Sequence, residues 1–254
     1  MKGLYCSIFV FLIFVMVIPA ISIAEDGESR LGVEVELGPV WQSRNDVRIP
    51  NNESSTRFSL VDLIDRGPYP AGRIYFSWQI KPKHGLRILL APLSVMQQGI
   101  LVSPVSFAGE DFDPSIQTEA TYKFNSFRLT YRYRFLDRPR WIGWIGFTAK
   151  IRDAKIQLEQ EGKSSQKTDL GFVPLLHLSM DYRLAERWRL LFDLDALAGG
   201  PGRAEDFSLK IGYQLNRHLR ITGGYRTVEG GADVDAVYTF AWLHYLVVSA
   251  VCLF

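Results

Sequence analysis

Beyond residue 24 the chain repeats one pattern: apolar and polar residues alternate with the period of a strand whose two faces meet different surroundings. In the clearest segment Ile74, Phe76, Trp78 and Ile80 share one face, while Arg73, Ser77, Gln79 and Lys81 share the other. Phe127, Leu129, Tyr131, Tyr133 and Phe135 alternate with Arg128, Thr130, Arg132 and Arg134. Trp188, Leu190, Phe192 and Leu194 oppose Arg189, Asp193 and Asp195. Phe207, Leu209, Ile211, Tyr213 and Leu215 alternate with Ser208, Lys210, Gly212 and Gln214. Read throughout, the pattern predicts about ten strands, at 31–42, 71–81, 86–97, 118–135, 141–156, 170–182, 187–198, 207–215, 219–227 and 237–254.

The connections fall into two alternating classes. Short ones lie at 82–85, 136–140, 183–186 and 216–218, and long ones at 43–70, 98–117, 157–169, 199–206 and 228–236. An even strand count with this alternation puts both strand termini at the short-turn end of an up-and-down sheet. Strands of this length suffice to cross an apolar layer when tilted. Aromatics on the apolar face sort by depth as Trp and Tyr do at membrane interfaces. Trp78, Phe135, Trp141, Tyr182, Trp188 and Tyr213 lie near short turns, and Trp41, Phe207, Tyr225 and Tyr238 near long loops.

The segment before these strands differs in kind. Residues 3–24 carry no charge, Lys2 precedes them, and Ser22-Ile23-Ala24 places small residues ahead of Glu25, the arrangement of a secretory signal peptide over 1–24. Residues 25–254 are then expected to form one barrel domain. Cys6 falls in the leader and Cys252 is the only other cysteine, so the mature chain has no intramolecular disulfide and no CxxC site. With a formal charge of +2, nothing in the balance points to nucleic acid as a partner.

Taken together, the chain resembles the small outer-membrane β-barrel proteins of Gram-negative bacteria. The resemblance implies an all-β, antiparallel up-and-down transmembrane barrel with short periplasmic turns and longer extracellular loops in the outer membrane. It implies outer-membrane lipid and lipopolysaccharide as surroundings. It also implies that the assembly machinery recognises the final strand through Phe254, although Cys252, Ala250, Val248 and Leu246 lack the aromatic-rich pattern usual there.

If the apolar face meets lipid, the polar face lines the lumen. There Glu34, Glu36, Asp181, Asp193 and Asp195 meet a larger basic set that includes Arg73, Arg128, Arg132, Arg189, Lys210 and Arg226. Isolated buried charges are costly, so these groups are expected to pair in a network that plugs the lumen, or to line an anion-favouring passage. Setting Tyr182 opposite Trp188 places Asp181 opposite Arg189 and His177 opposite Asp193. Setting Phe135 opposite Trp141 brings Arg132 beside Trp144, within reach of a cation–π contact.

The loops add little chemistry. Glu110, Asp111 and Asp113, and likewise Glu229, Asp233 and Asp235, form acidic clusters without calcium-loop spacing, and solvation is the favoured role. Residues 58–65 form an apolar segment predicted as a short helix capped by Ser54, Ser55 or Thr56, folding over the mouth, plugging the lumen, resting on lipid or simply packing the loop. The sequence has no phosphate loop, zinc signature or dinucleotide fingerprint, and no cofactor is expected. Histidines are few: His84 and His218 lie in turns, His244 on the lipid face, and only His177 faces inward. Ser179 shares its face but, at about 6 to 7 Å along a strand, is expected out of hydrogen-bonding reach. The favoured reading is a non-enzymatic barrel with a structural or surface-interaction role. A narrow anion-tolerant pore is second, and a lipid-modifying enzyme third.

Overall fold

The computed structural model describes residues 30–254; the leader assigned to residues 1–24, and residues 25–29, lie outside the described residues. The chain forms β1 (Leu31–Arg48), β2 (Phe58–Ser59), α1 (Leu60–Ile64), β3 (Tyr69–Lys81), β4 (His84–Ala91), β5 (Ser94–Ile100), β6 (Val105–Phe107), β7 (Glu110–Phe112) and β8 (Gln117–Arg138). There follow β9 (Trp141–Gln160), β10 (Lys163–Arg183), β11 (Trp188–Gly199), β12 (Gly202–Gln214), β13 (Leu219–Val234) and β14 (Val237–Leu253). Strands adjacent in the ring pair antiparallel, and β14 closes on β1 to complete it, while β5 pairs with β8 alone. With β4 and β5 as two halves of one strand, this is the ten-stranded up-and-down barrel the pattern predicts.

The strands are staggered as closure requires. The pairings lead from Leu31 through Trp78, Leu86, Tyr131, Phe147, Leu176, Ala196, Glu205, Glu229 and Trp242 back to β1 at Arg44. The seam is pinned by Phe254, whose N–H donates to the Leu31 carbonyl at 2.8 Å and whose carbonyl accepts from Leu31 at 3.1 Å.

Alternation holds where the sequence shows it. Outward positions leave large apolar groups exposed, such as Ile88, Leu129, Ile145, Phe172, Leu209 and Leu246, while their neighbours point inward and are buried. Near the short turns Trp141 packs against Tyr182 with ring centres 4.2 Å apart and Trp188 against Tyr213 at 4.9 Å. At the other end the Tyr225 hydroxyl is hydrogen-bonded to His244 Nδ1 at 2.5 Å, and Trp242 lies beside the same imidazole at 5.4 Å. Tyr238 stands closer to the hairpin tip, where Arg57 packs over its ring at 4.2 Å and donates to its hydroxyl at 2.6 Å.

Three of the five long connections prove to be hairpins. The ladders run on to turns at 161–162, 200–201 and 235–236, so residues read as loop continue as strand. Beyond an apolar layer outward residues need not be apolar, so the period-two signal fades although the backbone pairing does not. Glu161 and Gly162 both take positive φ, the geometry of a tight two-residue hairpin turn. The predicted strand over 86–97 is interrupted at Pro92 and Leu93. Proline cannot donate to the ladder, and the Leu93 N–H turns instead to Asn125 Oδ1 at 3.1 Å.

The two remaining long connections fold inward at that end. Helix α1 is one turn long and begins after Ser59, which makes no side-chain cap bond, so Ser54, Ser55 and Thr56 are not its caps. Its Leu60, Leu63 and Ile64 join Phe107 and Phe112 of the β6–β7 hairpin and Val47, Val95, Leu158, Leu243 and Tyr245 of the wall in one apolar core. Ser106 ties the hairpin to Thr56, donating its N–H to the hydroxyl at 3.1 Å and accepting the Thr56 N–H at 2.9 Å. The lumen is thus stoppered at its long-loop end.

Candidate functional site

Below this apolar stopper the inward positions are charged, and they converge across the barrel. Asp206 on β12 is the hub: its Oδ2 accepts from Arg73 on β3 at 2.5 Å and Arg128 on β8 at 2.7 Å, and its Oδ1 from Arg226 on β13. Glu36 on β1 accepts from Arg226 Nε at 2.9 Å and Lys210 at 2.9 Å, while Glu34 takes Lys210 at 2.5 Å and the Ser249 hydroxyl at 2.6 Å. Arg87 grips both oxygens of Asp193, and Arg189 and Arg220 share Asp181 at 2.9 and 3.4 Å. Arg73 and Arg128 reach Asp206, and Arg87 reaches Asp193, from strands across the barrel, so the network is a cross-brace. Tyr75, 5% exposed, sits among its cations, with Arg73, Arg87, Lys210 and Arg226 all within 6.0 Å of the ring centre.

Each lumen residue expected from the sequence is brought to this face: Glu34, Glu36, Arg73, Arg128, Arg132, His177, Asp181, Arg189, Asp193, Asp195, Lys210 and Arg226. Arg132 does stack on Trp144, at 4.8 Å, although the hairpin register differs from that expected, since Arg138 faces Trp141. The β10–β11 register is also shifted by two. His177 faces Asp195 and Ser179 faces Asp193, which replaces the predicted His177 with Asp193 pair. A shift of two preserves the inward face, which is why the residues were right and the partners wrong.

The sequence reading missed Asp206, Tyr75 and Ser179. Asp206 was placed at the end of a loop, yet it is in phase with Ser208, Lys210, Gly212 and Gln214. Extending that alternation back by one position would have found it. Tyr75 lies in the polar phase of the strongest strand, where an aromatic is out of place. Ser179 was excluded by distance along the strand, but the His177 ring leans toward it and places Nε2 at 3.2 Å from its Oγ.

His177 itself is buried, at 1% exposure, with Nδ1 at 2.8 Å from Asp195 Oδ1. Since an ionised carboxylate only accepts, Nδ1 carries the proton, and in the neutral imidazole Nε2 then turns its lone pair to Ser179. Asp195 is held in turn by Arg128 at 2.8 Å and the Thr148 hydroxyl at 3.0 Å. His177, Asp193 and Asp195 gather within 4.8 Å and have the composition of a metal site. Their carboxylate oxygens are already engaged by Arg87 and Arg128, so a cation would have to displace guanidinium partners, and the donor set does not fit one well.

Between this floor and the short-turn end lies a polar cavity of about 240 Å³. It is lined by Glu34, Tyr75, Arg87, Arg132, Trp144, Ser179, Asp181, Asp193, Lys210 and Arg220, and bordered by Gly32 and Leu253 at the strand ends. A closed ring of alternating strands, an apolar outer belt and a charged interior define the class: a ten-stranded antiparallel barrel of the outer-membrane type. No helix among the described residues is long and apolar enough to cross a membrane.

No protein-family model and no curated protein matches the sequence. Among solved structures, the outer membrane protease OmpT from Escherichia coli is similar, with a TM-score of 0.57 and 10% identity over 92% of this chain and 100% of that one. The attachment invasion locus protein Ail of Yersinia pestis gives 0.39 and 6% over 87% and 99%. Neisserial surface protein A gives 0.35 and 11% over 90% and 100%. At such identity the likeness to OmpT is one of fold.

Proposed function

We propose that this protein is an outer-membrane barrel closed to through-flow, whose structural or surface role is exercised at its two ends rather than by conduction. The observation that carries this reading is the double seal of the lumen. An apolar core containing α1 and the β6–β7 hairpin fills the long-loop end, and the Asp206-centred cross-brace fills the level beneath. Ion passage would require both to part, and separating a buried, hydrogen-bonded ion pair costs about 3 to 5 kcal/mol. In this reading the short turns face the periplasm, the hairpin tips face outward, and the apolar belt meets lipid.

Planar-bilayer recording of the refolded protein tests the seal, and the expected trace is quiet. Steady anion-selective openings would sink the closed-barrel reading in favour of a narrow pore. Address is tested separately: the protein is expected in the outer-membrane fraction with heat-modifiable migration, and a freely soluble product would overturn it.

A further inference from the structure

The cavity at the short-turn end has chemistry that a brace does not require. Asp195, His177 and Ser179 form a line of hydrogen bonds, 2.8 Å and then 3.2 Å, that runs from the buried cross-brace toward open space. Only the last of the three borders the cavity. The order is that of an orienting acid, a base and a nucleophile, with the hydroxyl presented where a ligand can reach it. Each support is fixed: Arg128 and Thr148 hold Asp195, Asp195 sets the imidazole tautomer, and Nε2 is left to accept the serine proton.

The walls suggest what would enter. Arg132 borders the same cavity and lies over Trp144, and no carboxylate partners it among the described residues; its Nε is without a hydrogen-bond partner. Every other cation lining the cavity is matched: Arg87 with Asp193, Lys210 with Glu34 and Glu36, Arg220 with Asp181, and Arg226 with Glu36. An unmatched guanidinium lining the same cavity as that hydroxyl is a receptor for an anion. A volume of about 240 Å³ limits the ligand to a small molecule.

We propose that Ser179, His177 and Asp195 form a hydrolytic relay at the floor of this cavity, acting on a small carboxylic ester that carries a negative charge held by Arg132. Ser179 Oγ adds to the ester carbonyl carbon as its proton passes to His177 Nε2. As the resulting oxyanion collapses, the ester C–O bond breaks and His177 returns the proton to the departing alcohol. Water then adds to the acyl-serine, giving a proton to His177. Collapse releases the carboxylic acid and restores Ser179 with that proton. Asp195 is a positioning residue throughout.

The test uses folded, refolded full-length protein in detergent micelles and a fluorophosphonate probe, which reports an activated serine without knowledge of the natural ester. The expected result is covalent labelling mapped by peptide mass to Ser179. Ser179→Ala should abolish it and His177→Gln should slow it ~100-fold or more, with heat-modifiable migration retained as the check on folding. Turnover of 4-acetoxybenzenesulfonate against uncharged phenyl acetate reads the anion site. Arg132→Gln should raise KM for the charged ester ~10-fold or more and leave phenyl acetate unchanged. Absence of label on folded wild-type protein overturns the relay without reference to any variant. So does labelling at the wild-type rate in His177→Gln. Both outcomes are independent of the conductance experiment, so the closed-barrel reading and this one fail separately.

Discussion

Asp206→Asn isolates what the cross-brace contributes. The substitution keeps the shape of the side chain and removes one charge from a residue 2% exposed that accepts from three guanidinium groups, themselves 2 to 6% exposed. Each charge-assisted bond is worth about 1.5 to 3 kcal/mol net, but the three share one carboxylate and do not add. The governing cost is that Arg73, Arg128 and Arg226 are left crowded with less counter-charge; breaking a buried pair in this way typically costs about 3 to 5 kcal/mol. Lys163 with Asp113 provides the reference, a pair of comparable length, 2.7 Å, but half-exposed, where water screens the charges and the interaction contributes little. Equilibrium urea unfolding of refolded protein, followed by tryptophan fluorescence, measures both. A loss of about 3 to 5 kcal/mol for Asp206→Asn, several times that for Asp113→Asn, is expected. Adding Arg73→Met to Asp206→Asn should return part of it, because the second change removes one of the crowded cations. A loss under about 1 kcal/mol would refute the claim that the brace is dry and mutually dependent.

Other consequences follow from depth and burial. Leu209→Arg, on the exposed apolar face of β12 between Phe207 and Tyr213, should cost about 2 to 4 kcal/mol of folding into lipid vesicles, while Ser164→Arg near the β9–β10 hairpin tip should cost close to nothing. Phe107→Ala empties a fully buried site in the apolar stopper and should cost about 3 to 5 kcal/mol locally, seen as faster proteolysis within residues 101–116 with the barrel intact; unchanged cleavage would mean the stopper is not a packed unit. Asp113 accepts a hydrogen bond from Lys163 and raises the lysine's pKa, so the pair's small support is present at neutral pH and lost as pH rises through the folded value. High salt should remove it at any pH, and a salt-independent effect of Asp113→Asn would contradict that origin.

The sequence by itself determined the closed antiparallel barrel and which side chains face in. A strand in contact with an apolar layer must alternate, and that constraint is written locally in segments such as Ile74 to Lys81 and Phe127 to Phe135. It also placed the charged residues of the lumen, because any error of two in register leaves a residue on the same face. What the tertiary structure alone decided was who meets whom. Asp195 rather than Asp193 became the partner of His177, through a two-residue shift in the β10–β11 ladder. Asp206 became the hub through residues more than sixty positions away, with Arg73 and Arg128 arriving from other walls of the barrel. The hairpin extensions were hidden because outward residues beyond the apolar belt carry no pattern. Ser179 was hidden because strand spacing fixes the distance between Cα atoms and not where an imidazole ring leans. Alternation is a property of one strand and its solvent, whereas partnership depends on closure, stagger and side-chain reach, which exist only once the ring is complete.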